Sequence, residues 1–275
     1  MSETGRKPAP GTDSMLKLLE VSKTFHPGTQ DERTALDNVT LRVRRGDFIS
    51  IIGANGAGKS TLFNAICGSF FVDHGRVILD GSDVTMMAEH QRAKSIGRLF
   101  QDPMRGSAPG MSIEENLILA AGTGGWLSTA GRKERQAFRD RLALLNMGLE
   151  DRMTQPVGLL SGGQRQALTL MMATLSMPRI LLLDEHTAAL DPGTAEKVLA
   201  LTEKIVSENR LTCLMITHNM QSALDLGNRT IMMDRGRIVF DTSGEERDKL
   251  TVGDLLEKFR EASGRSLDND RMLLA

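Results

Sequence analysis

The chain has 275 residues, with 40% hydrophobic and 25% charged positions, the balance of an ordinary globular protein. Its 34 basic residues meet 35 acidic ones, a net charge of −1, so the composition lacks the basic footprint of a nucleic-acid binder. The longest stretch without a charge, residues 116–131, is broken by glycines and falls short of the ~20 apolar residues that a membrane span needs.

Residues 1–14, rich in Pro, Gly, Ser and Thr, read as a mobile tail. They lack the apolar core of a secretory signal, which points to a cytoplasmic protein. Strands are predicted at 16–21, 39–43 and 47–52. The last carries Phe48, Ile49, Ile51 and Ile52 and is apolar enough to be buried on both faces. A glycine-rich loop follows, then a helix over about 58–68 and strands at 76–80 and 97–100. From 101 the pattern turns helical, over 112–122, 132–147 and 161–177, with glycine-rich 122–131 between the first two. Strand and helix then alternate: 180–184, 194–209, 212–217, 220–226 and 230–234. Such alternation predicts a parallel sheet with helices packed on it. Gly236 is expected to turn a hairpin into 237–241. Val252, Leu255, Leu256 and Phe259, at helical spacing, mark an amphipathic closing helix. Cys67 and Cys213 lie far apart in apolar surroundings and read as core residues, and with five scattered histidines no zinc site is expected.

Two segments carry phosphate chemistry. Gly53-Ala-Asn55-Gly56-Ala-Gly58-Lys59-Ser60-Thr61 fits G-x-x-x-x-G-K-[ST] between a buried strand and a helix. Glycines there let backbone N–H groups converge on phosphate oxygens, and the helix N-terminus adds partial positive charge. Lys59 is expected to reach the β- and γ-phosphates of a nucleotide and Ser60 to ligate Mg²⁺. The strand Ile180-Leu-Leu-Leu-Asp184 ends in a carboxylate suited to hold that Mg²⁺, and Glu185 is next. Along a strand it would point the other way, but at a strand end it can face the γ-phosphate as a general base. An ordinary glycine turn rarely matches this pattern by chance; a solvated acidic strand end, taken alone, would be the plainer reading of Asp184-Glu185, and the loop beside it reverses that.

Leu160-Ser161-Gly162-Gly163-Gln164 opens the helix predicted from 161, with Ser161 placed to cap it and glycine N–H groups exposed at its start. With this motif the sequence resembles the ATP-binding subunit of an ATP-binding cassette (ABC) transporter over roughly residues 15–245. Every family motif stands in order: the phosphate loop, a glutamine loop with Gln101, the signature Leu160–Gln164, Asp184-Glu185, a D-loop with Asp191, and a switch histidine, His218. The resemblance implies an α/β P-loop NTPase fold with a parallel-sheet core, an N-terminal antiparallel β subdomain and a helical subdomain inserted at about 102–177. Residues 246–275 would form a C-terminal helical extension. It also implies a head-to-tail dimer, with a second copy or a homologous ATPase, around two ATP molecules. In it Ser161 and Gly163 would reach the γ-phosphate across the interface, with Gly162 and Gln164 beside them. Gln101 would sense Mg²⁺ and water, His218 would hold the γ-phosphate and attacking water, Asp191 would couple the two sites, and Phe25 would stack on adenine.

The implied partners are integral-membrane permease subunits and an extracytoplasmic substrate-binding protein, which puts the chain at the cytoplasmic face of the inner membrane. Residues 101–126, with Pro103, Met104, Met111 and Trp126, would form the permease groove or else pack within the helical subdomain. Segments 100–103, 184–192 and 226–233 look like a bacterial subfamily of amino-acid uptake systems, tryptophan/tyrosine-type among them. Its permeases are related to those for branched-chain amino acids. An exporter subunit and a soluble ATPase of cluster assembly are the alternatives. His186 stands where many members carry proline. It would either tune Glu185 through a hydrogen bond or be variation without effect.

Overall fold

The computed structural model describes residues 14–122 and 131–263. The tail expected over 1–14 lies, except Ser14, outside them, as do Trp126 and the end of the C-terminal extension. In chain order the strands are β1 (Ser14–Phe25), β2 (Arg33–Arg44), β3 (Phe48–Ile52), β4 (His74–Leu79), β5 (Ser82–Asp83), β6 (Ile96–Leu99), β7 (Ile180–Asp184), β8 (Thr212–Ile216), β9 (Arg229–Asp234) and β10 (Arg237–Ser243). The helices are α1 (Lys59–Cys67), α2 (Glu89–Arg92), α3 (Ile113–Ala121), α4 (Arg132–Ala143), α5 (Gly162–Thr174), α6 (Pro192–Glu208), α7 (Met220–Asp225), α8 (Glu245–Asp248) and α9 (Val252–Ser263).

The strands form two sheets. One is antiparallel, in the order β2-β1-β4-β5, and the other runs β10-β9-β3-β8-β7-β6. In the second, β6, β7, β8, β3 and β9 are parallel, and β10 is the antiparallel edge made by the hairpin at Gly236. The central strands β3, β7 and β8 are buried at every residue. Along β7, Ile180 and Leu182 enter one core cluster while Leu181 and Leu183 enter the opposite one. That alternation is the period of two that a strand buried on both faces requires.

The first cluster joins the parallel sheet to α1 and the antiparallel sheet, through residues such as Leu16, Leu18, Val43, Leu62 and Phe63. The second joins the other face to the helices, through Ile113, Leu117, Phe138, Leu142, Leu168 and Leu201. The third is small: Leu255 and Phe259 of α9 close over Ile52, Met220 and Met232, as the helical spacing predicts. Cys67 and Cys213 are both buried thiols in these cores, and burial pushes the Cys67 thiol up to about 11.

Several bounds differ from the sequence expectation. The strands β1 and β2 run further because their outer halves pair through polar side chains, with Thr24 and Thr34 hydroxyls 3.2 Å apart. Helix α4 stops at Ala143, well before 147, and Asn146 and Gly148 in the turn beyond it have φ of 52° and 68°. Helix α6 begins at Pro192, with Asp191 as its N-cap, because proline at the first helical position forfeits no hydrogen bond. The short β5, α2 and α8 have too few residues to leave a periodic signal.

Candidate functional site

The phosphate loop leaves the carboxyl end of β3 and runs into α1. This is the end of a parallel sheet where ligands collect in such folds. Gly58 has φ +104°, and a Cβ there would lie 2.5 Å from the Ala35 carbonyl oxygen, so only glycine closes this turn. Lys59 is 5% exposed, and its ammonium donates to the carbonyls of Gly53 at 2.7 Å and Ala54 at 3.1 Å. Burial lowers its pKa, and the carboxylates of Glu185 and Asp184 partly offset that. A cavity of about 180 Å³ opens over the loop, lined by Phe25, Arg33, Ala35, Asn55, Gly56, Gly58, Lys59, Ser60, Thr61 and Glu185.

Asp184 closes β7 two strands away. The Ser60 hydroxyl donates to its Oδ1 at 3.3 Å. On the other side Arg98 of β6 stands 3.9 Å from Oδ2 and donates to Asn64 of α1 at 2.7 Å. Burial raises the Asp184 pKa, and Arg98 is the strongest opposing influence.

Glu185 settles the question of its direction by its backbone. Its φ is +47°, a left-handed turn that swings the side chain out of the strand's alternation and into the cavity. There the His218 Nε2 donates to its Oε1 at 2.7 Å. Burial pushes the carboxyl upward, but the hydrogen bond from His218 and the charges of His218 and Lys59 prevail, leaving its pKa below the ordinary value. Glu185 is therefore ionised at neutral pH and able to accept a proton.

His186 points the opposite way. It is 3% exposed, and its Nε2 lies 3.1 Å from the Thr202 hydroxyl. That hydroxyl donates to the Val198 carbonyl at 2.8 Å, so the imidazole is the donor and carries its proton on Nε2. Burial pushes its pKa down to about 4. Among the described hydrogen bonds it makes none to Glu185, so it ties the chain beyond Glu185 to α6 instead. Thr202→Val should leave this N–H unpartnered and destabilise the fold by about 1–3 kcal/mol. Thermal denaturation reads the loss, and an unchanged melting temperature would contradict the bond.

The remaining expected residues divide. Phe25 lines the cavity and meets Phe70 edge-on, with ring centroids 5.4 Å apart. Gln101 is exposed just beyond β6 and is absent from the cavity lining. Ser161 caps α5, accepting from Gln164 N at 3.3 Å, while the Gln164 side chain accepts from Ser161 N at 3.2 Å. Gly162 is exposed at the helix start, whereas Gly163 is buried where a Cβ would lie 2.2 Å from the Thr194 methyl. Ser161, Gly163 and Gln164 line a separate cavity with Lys197 and Lys204, so one chain does not bring its signature to its own phosphate loop. Asp191 accepts from Thr194 N at 3.0 Å as the cap of α6, and hydrogen bonding from the Thr194 side chain and then its backbone holds the carboxyl below the ordinary range.

Two residues carried no motif. Arg33 and Arg98 sit at the Gly53–Thr61 loop and at Asp184, and the register of the strands alone places them there. Arg98 also lines a groove of about 470 Å³ with Arg105, Asn116, Leu119 and Met172, next to the exposed Met104. Both guanidinium groups flank the Phe100 ring, at 4.6 Å and 5.3 Å from its centroid.

Comparison with known proteins agrees with this geometry. Residues 36–188 match the family described as ABC transporter. The chain is 42% identical, over 90% of its length and 100% of the relative's, to a tyrosine transport ATP-binding protein of Clostridioides difficile. It is 34% identical, over 84% of its length and 92% of the relative's, to a thiamine import ATP-binding protein of Salmonella typhimurium. Among solved structures, a dimeric ATP-binding cassette in a post-hydrolysis state with ADP and Pi superposes with a TM-score of 0.72 at 30% identity, covering 83% of this chain and 98% of that one. A phosphate loop, an acidic strand end and a signature helix, held in one α/β frame, thus have their counterpart in known cassettes, and the chain belongs to the ABC transporter family as an ATP-binding, ATP-hydrolysing subunit.

Proposed function

We propose that this subunit hydrolyses ATP at the cavity over Gly53–Thr61 and uses it to drive uptake of an amino acid, tyrosine or a close relative, through a partner permease. The observation that carries the chemistry is Glu185, which lines the phosphate-loop cavity while bonded to His218 at 2.7 Å. Phe25 stacks on adenine, and Asn55, Gly56, Gly58, Lys59, Ser60 and Thr61 embrace the phosphates. Glu185 takes a proton from water as the water oxygen bonds to the γ-phosphorus and ADP leaves with the electron pair of the broken P–O bond on its β-phosphate oxygen. His218 orients the carboxylate for that transfer.

The hydroxyl of Ser60 and the carboxylate of Asp184 are hard oxygen donors already within hydrogen-bond reach, which suits Mg²⁺. Among the described residues no group of three acidic, His or Cys side chains gathers. Phosphate and water would thus supply the other ligands, as is usual for Mg²⁺. Bound there, the ion would neutralise phosphate charge, and Gln101, exposed just beyond β6, would sense it and the attacking water.

The second cavity supports a dimer in which Ser161, Gly162, Gly163 and Gln164 of one chain face the nucleotide of another, with Asp191 linking the two sites. The groove at Arg98, Arg105 and Leu119 receives the permease at the cytoplasmic face of the membrane, and an extracytoplasmic binding protein delivers the solute. The described residues contain no helix long and apolar enough to cross a membrane, so anchoring falls to that permease.

His218→Ala is expected to lower kcat by about 10²-fold with nucleotide affinity retained, measured as phosphate release at saturating ATP. A normal rate would remove His218 from the mechanism. Transport is tested by purifying the chain from detergent-solubilised membranes. A polytopic permease should come with it, and its binding protein should take up radiolabelled tyrosine. Recovery with soluble partners alone would overturn the uptake reading.

A further inference from the structure

The cavity over the phosphate loop contains a second cation that no motif accounts for. Arg33 is the cross-strand partner of Phe25 in the β1–β2 pair, so the two side chains share a face of the sheet and line the cavity together. Its Nη2 donates to the Gly56 carbonyl at 3.0 Å. A Cβ on Gly56 would lie 2.8 Å from that same nitrogen, so the guanidinium lies directly against the loop. A guanidinium has five N–H donors, and Gly56 accepts from one nitrogen. No described carboxylate lies within ion-pair distance of Arg33. Lys59, by contrast, is buried beneath the loop with its ammonium on two carbonyls. The two cations therefore flank the loop from different sides, one from α1 and one from the antiparallel sheet.

We propose that Arg33 is a nucleotide-binding residue that engages the polyphosphate chain from the sheet side and sets the preference of this site for di- and triphosphates over monophosphates. The proposal rests on the reading of the cavity as the nucleotide site. A planar guanidinium matches phosphate oxygens in geometry as well as charge. It is braced by one bond to Gly56 and keeps its other donors for the ligand.

The test compares wild type, Arg33→Ala and Arg33→Lys by isothermal titration with ADP, the non-hydrolysable analogue AMP-PNP, and AMP. Nucleotide-free melting temperatures are measured beside them. In Arg33→Ala the Kd for ADP and AMP-PNP should rise roughly five- to tenfold, an exposed charge-assisted contact being of that size. The Kd for AMP should stay within about twofold, and Arg33→Lys should recover part of the loss. The difference should shrink at high salt. An unchanged Kd, an equal loss for all three nucleotides, or a loss that follows a lowered melting temperature would each overturn the proposal. The last two would leave Arg33 as a brace for the loop. Lys59→Ala is titrated in parallel. If it binds ADP normally, the reading of the cavity itself falls, whereas lost binding there beside an unchanged Arg33→Ala sinks only the role of Arg33.

Discussion

Glu185→Gln should bind ATP as tightly as wild type and turn it over about 10²–10⁴-fold more slowly, the range spanned by a positioned general base. The substitution keeps the volume of the side chain and its ability to accept from His218 at 2.7 Å. What it removes is the carboxylate proposed to take the proton from water. It also removes a negative charge beside the γ-phosphate, so affinity should hold or improve. Since ATP persists, the variant should also accumulate as a dimer closed around two nucleotides. Phosphate release reads the first effect, and size-exclusion chromatography with and without ATP reads the second. Undiminished turnover would take the base assignment away from Glu185. A chain that stays monomeric with ATP would argue against the head-to-tail arrangement for the isolated subunit.

Lys59→Ala should lose nucleotide affinity by about 100-fold or more, equivalent to about 3 kcal/mol for a charge-assisted contact in a partly desolvated site. The fold should survive. Lys59 is held by the Gly53 and Ala54 carbonyls, and water can reach the loop in its place. Its burial already weighs against the charged form, so deleting it relieves a desolvation cost while removing those two bonds. The melting temperature without nucleotide should therefore move little, while titration with ADP shows the loss. A variant that binds normally would mean that the loop does not cradle phosphate.

Much of this is legible in the sequence, for a physical reason. The runs of β3, β7 and β8 are buried at every residue, and apart from Ser50, Asp184 and Thr212 they consist of Phe, Ile, Leu, Met and Cys. The phosphate loop was legible because its glycines are forced by contact, Gly58 against Ala35 among them. Helix α9 followed from four residues, two of which, Leu255 and Phe259, are fully or nearly buried. What escaped depends on pairing across the chain. Arg33 reaches the loop through its register with Phe25, and Arg98 reaches Asp184 because β6 lies beside β7. No local pattern marks either. His186 could be flagged as unusual from sequence, but its partner Thr202 sits 16 residues on, in another element.

The left-handed backbone at Glu185 carries a consequence for anyone who would alter this protein. Stability alone would fill that position with glycine or asparagine, residues that adopt φ near +47° without the steric conflict a longer side chain meets. The chain instead keeps a glutamate there, a local discomfort of about 1 kcal/mol. Thermostabilising programmes that rank substitutions by backbone comfort will nominate this residue among their first repairs. The resulting protein would be sturdier and, with Glu185 as the proposed base, would no longer split ATP.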